Sequence, residues 1–234
     1  GERWWLIDPE GYYFWSAGMD CVRVDTTANF YLLEDALSWI PDPEGEYRDI
    51  FTERDGYPFI NYLAANFIRT FGAEGWRDRW ADLALDELKR LRFNTVGNWS
   101  EWEYASKAAF PYVRPMSFNP ETVQQIYRDF PDVYHPDFEQ DARQYARVLE
   151  ETKDDPALIG YFMMNEPKWA FSSELPAAGM LFNTEKSETR KALAQYLEEK
   201  YTNDENLSAA WAMPVSLSLI AEGRWDQRFT GMAL

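Results

Sequence analysis

Residues 158–167 read Leu158-Ile159-Gly160-Tyr161-Phe162-Met163-Met164-Asn165-Glu166-Pro167, and the fold class turns on this stretch. The residues from Leu158 to Met164 carry no charge and reach strand length, the pattern of a strand buried on both faces. The run then stops abruptly. Pro167 has no N–H for a ladder hydrogen bond, so Asn165 and Glu166 stand at the C-terminal end of the strand. In a parallel barrel that end carries the active site. A carboxyl beside an apolar strand and aromatic neighbours is expected to be partly desolvated, which favours the neutral form a general acid needs. The structural alternative is that Glu166 caps the next helix or pairs with Lys168 or an arginine.

The same pattern recurs upstream. Phe93–Trp99 and Pro111–Met116 read as short strands. A helix is expected from Trp76, with Trp76, Trp80, Leu83, Leu88 and Leu91 on one stripe and Asp86 paired with Arg90 outside it. Further helices are expected near 101–108, from Pro136-Asp137 to Asp154-Asp155-Pro156 with Phe138, Ala142, Tyr145 and Leu149 on one face, and over about 185–201. At the start, Trp4–Ile7 and Tyr12–Trp15 flank Asp8-Pro9-Glu10-Gly11, the chemistry of a β-hairpin turn, and the second arm runs on to Val22 as a strand of small residues. Residues 23–58 show little periodicity and read as a long inserted loop. Alternating strands and helices give an α/β fold: about the first four strand–helix units of a TIM (β/α) barrel, with an N-terminal β-hairpin, forming one incomplete domain over residues 1–234.

Composition narrows the chemistry. The 234 residues hold 23 Lys+Arg against 40 Asp+Glu, a net charge of −17, which repels nucleic acid and anionic lipid but not neutral sugars. No apolar run is long enough to span a bilayer. Cys21 is the one cysteine and His135 the one histidine, so an internal disulfide, multi-cysteine or multi-histidine metal sites and Ser-His-Asp catalysis drop out, and no cofactor or metal is implied. Acid/base work falls to Asp and Glu. Aromatics make up 17%, enough for a Trp-rich core, a sugar-stacking cleft, or both. Gly1-Glu2-Arg3-Trp4-Trp5 shows no signal peptide.

Asn165-Glu166-Pro167 at the end of an apolar strand resembles the fourth-strand motif of the retaining (β/α)-barrel glycosidase clan. Arg92-Phe93-Asn94-Thr95-Val96-Gly97-Asn98-Trp99-Ser100 resembles the second-strand motif of agarases of glycoside hydrolase family fifty. Gly11–Met19, Asp155–Phe162 and Lys200–Trp211 are similar to further segments of that family. The sequence departs from the family pattern at Arg92, where a small residue is usual, and at Pro167-Lys168. The resemblance implies a glycosidase acting on a galactose-containing oligo- or polysaccharide, with Glu166 as acid/base and Asn165 on the sugar 2-hydroxyl. A polysaccharide substrate favours a secreted or periplasmic protein. A β-galactosidase of the same clan and a non-catalytic carbohydrate-binding half-barrel are the alternatives. The clan's nucleophile, a glutamate on the seventh strand, has no counterpart here. Unpaired strand edges at Val22 and Phe162 lead to the expectation of a second copy, another chain or a missing C-terminal half as partner.

Other candidates sit at strand ends. Asn98 fits a sugar hydroxyl and Trp99 a sugar face, or equally a cap and a core ring. Trp102 and Trp169 suit sugar platforms or packing in equal measure. Asp20 is expected as a structural hydrogen-bond partner, Phe118 and Asn119 on the same rim, and His135 as a local cap. The acidic residues along the helices read as solvated faces.

Overall fold

The chain enters through an antiparallel hairpin, β1 (Leu6–Ile7) and β2 (Tyr13–Phe14), in which Leu6 faces Phe14 and Ile7 faces Tyr13. Asp8 ties the turn by accepting the Tyr12 N–H at 2.7 Å. After β3 (Gly18–Met19) come β4 (Thr27–Asn29), β5 (Phe51–Arg54) and β6 (Tyr57–Asn61), then helices α1 (Tyr62–Phe71) and α2 (Trp76–Arg90). Next follow β7 (Thr95–Val96), α3 (Trp102–Lys107), β8 (Tyr112–Pro115), β9 (Gln125–Tyr127), β10 (Phe130–Pro131), α4 (Phe138–Ala146) and β11 (Leu158–Phe162). Helices α5 (Glu188–Tyr201), α6 (Asp204–Trp211) and α7 (Leu217–Glu222) follow among the described residues. This computed structural model describes residues 2–171, 177, 180, 181 and 186–223. Its residues divide into two compact units, 1–115 with 152–162 and 116–151 with 163–234.

The first unit is built on a parallel sheet of order β3-β7-β8-β11. Gly18 pairs with Thr95, Val96 with Tyr112, and Tyr112 through Pro115 with Leu158 through Phe162. Neighbours in the sheet are successive along the chain, each joined by a helical crossover or the long 20–94 segment. One face is covered by α2 and α3: Leu85, Leu88, Ala105 and Phe110 bury Val96, Tyr112 and Ala157. Met19 and Phe162, on the two edge strands, are exposed. Gly18 is required where it stands, because a Cβ there would overlap the Thr95 carbonyl and so push β3 away from β7. Among the described residues the sheet does not close into a barrel; β3 and β11 are its edges.

The loop expected over 23–58 is instead largely ordered, and the expectation is corrected. β4, β6 and β5 make an antiparallel sheet in that order, with Ile60 fully buried and Val24 and Ile50 beside it. Strands of three to five residues are too short to show an alternation against the surrounding Pro, Gly and Asp. Helix α1, unanticipated, packs Ala64, Ala65 and Ile68 into the same core, capped by the Asn61 side chain, which accepts the Ala64 N–H at 3.0 Å. On α2 the buried stripe is Trp76, Trp80, Ala81, Leu85 and Leu88, while Leu83 and Leu91 are exposed. Its outer ion pairs are spaced one residue closer than expected, Asp86 to Lys89 and Glu87 to Arg90.

The second unit gathers Leu181, Ala194, Leu197, Leu207, Val215 and Ile220 around α5. Asp132, fully buried, starts α5 by accepting the N–H groups of Glu188 and Thr189, both at 2.7 Å. Arg190 is buried in the same unit and donates to the carbonyls of Met180 and Ala221. On α4, Asp141 is buried rather than solvated. It accepts the Thr122 hydroxyl at 2.6 Å and the N–H groups of Thr122 and Val123.

Asp155 fixes the entry to β11. Its carboxylate accepts the Ser106 hydroxyl at 2.7 Å, the Tyr112 hydroxyl at 2.9 Å and the Ala157 N–H at 2.9 Å. Burial pushes its pKa up, but these hydrogen bonds outweigh burial and leave it below the ordinary value. Burial and the hydrogen bond to Asp155 push the Tyr112 phenol up to about 12. A carboxyl with a depressed pKa in the folded state stabilises fully above its unfolded pKa and loses that contribution as pH falls through the folded value. Asp155→Ala is therefore expected to cost about 1–3 kcal/mol at neutral pH, where it strands the Ser106 and Tyr112 hydroxyls. The gap from wild type should shrink below about pH 4. Urea denaturation at pH 7 and pH 3 checks this; a gap that does not change with pH contradicts it.

Candidate functional site

Beyond the ends of β3 and β7 the two strand-end loops stay zipped together. The Gly97 N–H donates to the Met19 carbonyl at 2.7 Å, the Asn98 N–H to Asp20 Oδ1 at 2.7 Å, and the Cys21 N–H to the Asn98 carbonyl at 2.9 Å. The Val22 N–H then donates to the Ser100 hydroxyl, the Glu101 N–H to the Val22 carbonyl, and the Val24 N–H to the Glu101 carboxylate at 2.7 Å. Asp20 reaches Asn98 only because residue 97 is glycine, since a Cβ there would overlap Asp20 Oδ1. Asp20 is thus a structural partner.

This clamp holds two of the candidate residues in unusual states. The Asn98 side chain is 5% exposed, and neither its Oδ1 nor its Nδ2 has a hydrogen-bond partner among the described residues. Buried amides are nearly always paired, and an unpaired one costs about 1–3 kcal/mol. Trp99 has φ of 54°, left-handed backbone that a bulky residue adopts only under constraint, and its ring is 38% exposed with the Phe162 ring centroid 5.8 Å away. Trp102 has a different setting. Its ring stacks on Tyr112 at 5.6 Å and 20°, with the Arg114 guanidinium 4.3 Å from its centroid, a packed position against the helical face of the sheet. Arg114, buried and donating to Thr152 Oγ1 at 2.9 Å, was not anticipated; an arginine inside a strand is the signal that could have shown it.

In the second unit, Asn165 and Glu166 are both exposed. The desolvation expected for Glu166 is not seen. The strand ends at Phe162, two residues before the apolar run does, and Met163 and Met164 are themselves exposed. Glu166 has φ of 38°, and among the described residues its side chain makes no hydrogen bond or ion pair. The Lys168 and Trp169 backbone N–H groups donate to Asp129 at 2.9 and 3.1 Å, so Asp129 caps the turn Lys168–Phe171. The half-buried Trp169 ring meets Phe130 edge-on at 5.6 Å. Phe118 packs on Tyr145 and Phe138, Asn119 reaches Ser117, and His135 Nδ1 accepts the Asp137 N–H at 3.2 Å. Asp129 was missed because a lone Asp in a turn-rich stretch gives no spacing signal.

Of the ten non-glycine residues with positive φ among the described residues, three follow parallel strands: Cys21 after β3, Trp99 after β7 and Glu166 after β11. No protein-family model matches the chain. In sequence it is 22% identical to beta-agarase B of Vibrio sp. (strain JT0107), over 97% of this chain and 28% of that protein. It is 24% identical to beta-agarase A of the same strain, over 89% of this chain and 24% of that protein. In structure it matches the agarase AgWH50C with a TM-score of 0.75 at 24% identity, covering 94% of this chain and 37% of that one. PfGH50B matches with the same figures, and an exo-beta-agarase with a TM-score of 0.73 at 21% identity. The chain is agarase-like in sequence and in fold. It spans less than a third of the length of the curated β-agarases it matches.

Gly97→Ala is the direct test of the clamp in this agarase-like chain. The added methyl must displace Asp20, so a loss of about 1–3 kcal/mol is expected. Thermal unfolding reads it, and an unchanged midpoint would show that Asp20 does not lock the loop.

Proposed function

We propose that the chain belongs to a glycoside hydrolase that cleaves a galactose-containing polysaccharide of the agarose type by a retaining mechanism, with Glu166 as acid/base. The observation that carries this reading is a carboxylate four residues beyond a parallel strand, in left-handed backbone, exposed and without a partner among the described residues. Similarity to β-agarases along nearly the whole chain supports the substrate class, and the charge of −17 favours an uncharged galactan over a sulfated one.

In this mechanism Glu166 protonates the glycosidic oxygen as the bond to the anomeric carbon breaks and a second carboxylate attacks that carbon. Glu166 then takes a proton from the water that hydrolyses the glycosyl-enzyme. Asn165 hydrogen-bonds the 2-hydroxyl, Asn98 and Trp99 bind saccharide, and Trp169 and Trp102 have supporting positions, Trp102 from within the packed face. The second carboxylate has to lie about 5–5.5 Å from the first, and we assign it to polypeptide outside residues 1–234. On this reading the four parallel strands in sequential order are the first four of a TIM barrel, both units belong to one incomplete domain, and the β3 and β11 edges await further strands. A β-galactosidase of the same clan would prefer short aryl or alkyl galactosides. A non-catalytic carbohydrate-binding protein would bind without turnover.

Glu166→Gln in the intact polypeptide is expected to lower kcat on agarose about 10²–10⁴-fold with little change in KM. The 234-residue chain alone is expected to release no reducing ends. Turnover by the isolated chain that Glu166→Gln abolishes would refute the assignment of the nucleophile elsewhere; full activity of the variant would refute the role of Glu166.

A further inference from the structure

The orphaned amide of Asn98 is one of two buried side-chain groups in the first unit without a hydrogen-bond partner among the described residues, the Tyr62 hydroxyl being the other, and of the two it alone follows a strand of the parallel sheet. Its surroundings are not loose. The backbone N–H of Asn98 is taken by Asp20 and its carbonyl by Cys21, within a clamp whose hydrogen bonds are 2.7–3.0 Å long. Only the side chain is left with nothing to bind, and both of its polar atoms are covered. The next residue, Trp99, holds a strained backbone and offers part of its ring, with the exposed Phe162 beside it.

An amide next to an aromatic face is the pairing that saccharides satisfy. The ring lies along the sugar's C–H surface, while a hydroxyl, donor and acceptor at once, answers both ends of a carboxamide. A neutral amide in a chain of net charge −17 selects an uncharged hydroxyl over a sulfate or carboxylate.

We propose that Asn98 is a specificity-determining residue whose carboxamide stays partnerless in the free protein and is completed by hydroxyls of an uncharged saccharide lying on Trp99. This deepens the proposed function and rests on it. Because both amide atoms are covered, docking requires a local shift of the 98–99 backbone, and Trp99 is where such a shift meets least resistance: relaxation from φ of 54° toward the extended region relieves strain as the amide opens. The free protein is thereby less stable than it would be with an apolar residue at 98, and the deficit is recovered on binding.

The test compares Asn98→Leu with wild type, both in the intact polypeptide and on a Glu166→Gln background to prevent turnover. Neutral agarose tetrasaccharide is the probe, read by calorimetry and by thermal unfolding with and without sugar. Leucine fills a similar volume and removes the orphaned groups. The expected result is an unfolding midpoint without sugar equal to or above wild type, together with affinity weakened at least tenfold. Asn98→Ser, which keeps a small polar group, gives the same comparison if the leucine variant does not fold, with weakened binding again expected. A lowered midpoint with affinity within twofold of wild type would show a purely structural asparagine and overturn the proposal. Absence of any saccharide binding by the wild-type protein would instead count against the proposed function itself.

Discussion

The carboxylate of Asp20 accepts the Asn98 N–H at 2.7 Å across a position where only glycine leaves room, and the layout of the β3 and β7 strand ends depends on that bond. Parallel strands diverge once their ladder ends unless something else holds them. Here the ladder continues as a chain of side-chain and backbone hydrogen bonds from Met19 to Val24 on one side and Gly97 to Glu101 on the other. Gly18 serves the same purpose one step earlier, by allowing β3 to approach Thr95. With the loops fixed, Trp99 is held in left-handed backbone and the Asn98 side chain is shut in without partners. Strain and an unsatisfied amide at adjacent positions are costs that a purely structural loop has no reason to retain.

Much of the parallel sheet was legible because its strands are marked by chemistry that local physics makes distinctive. Leu158–Phe162 is uncharged and bounded by Asp-Pro on one side and Asn-Glu-Pro on the other, and Phe93–Trp99 carries a glycine that only close packing explains. The hairpin at Asp8–Gly11 was readable from its turn. What failed was the region of short elements: β4, β5 and β6 hold three to five residues each, and their apolar contribution to the core is little more than Ile60. Helix α1 does carry helical apolar spacing, with Ala64, Ala65 and Ile68 buried and Leu63 and Phe67 packed beside them, and it was hidden only by its place directly after that unreadable stretch.

The candidate residues divide by how much long-range structure their role needs. Glu166 and Asn165 could be named from the strand that precedes them, although the expected desolvation was wrong because the strand ends at Phe162. The state of Asn98 could not be read at all. Whether an asparagine at a strand end is capped, solvated or orphaned depends on a neighbour seventy-eight residues away. Trp102, equally suited on paper to packing or to sugar, lies between Tyr112 and Arg114, a partner set that only β8 could supply.

The central claim is that Glu166 supplies and removes the proton in a double displacement, and chemical rescue tests it most directly. In the intact polypeptide, Glu166→Ala should retain attack on an aryl glycoside with a good leaving group, which needs no protonation, but should stall at the glycosyl-enzyme for want of a base. Added azide, a nucleophile that needs no deprotonation, should then accelerate turnover and give a glycosyl azide with retained anomeric configuration. Hydrolysis at the wild-type rate without azide, or rescue with inverted configuration, would contradict the account.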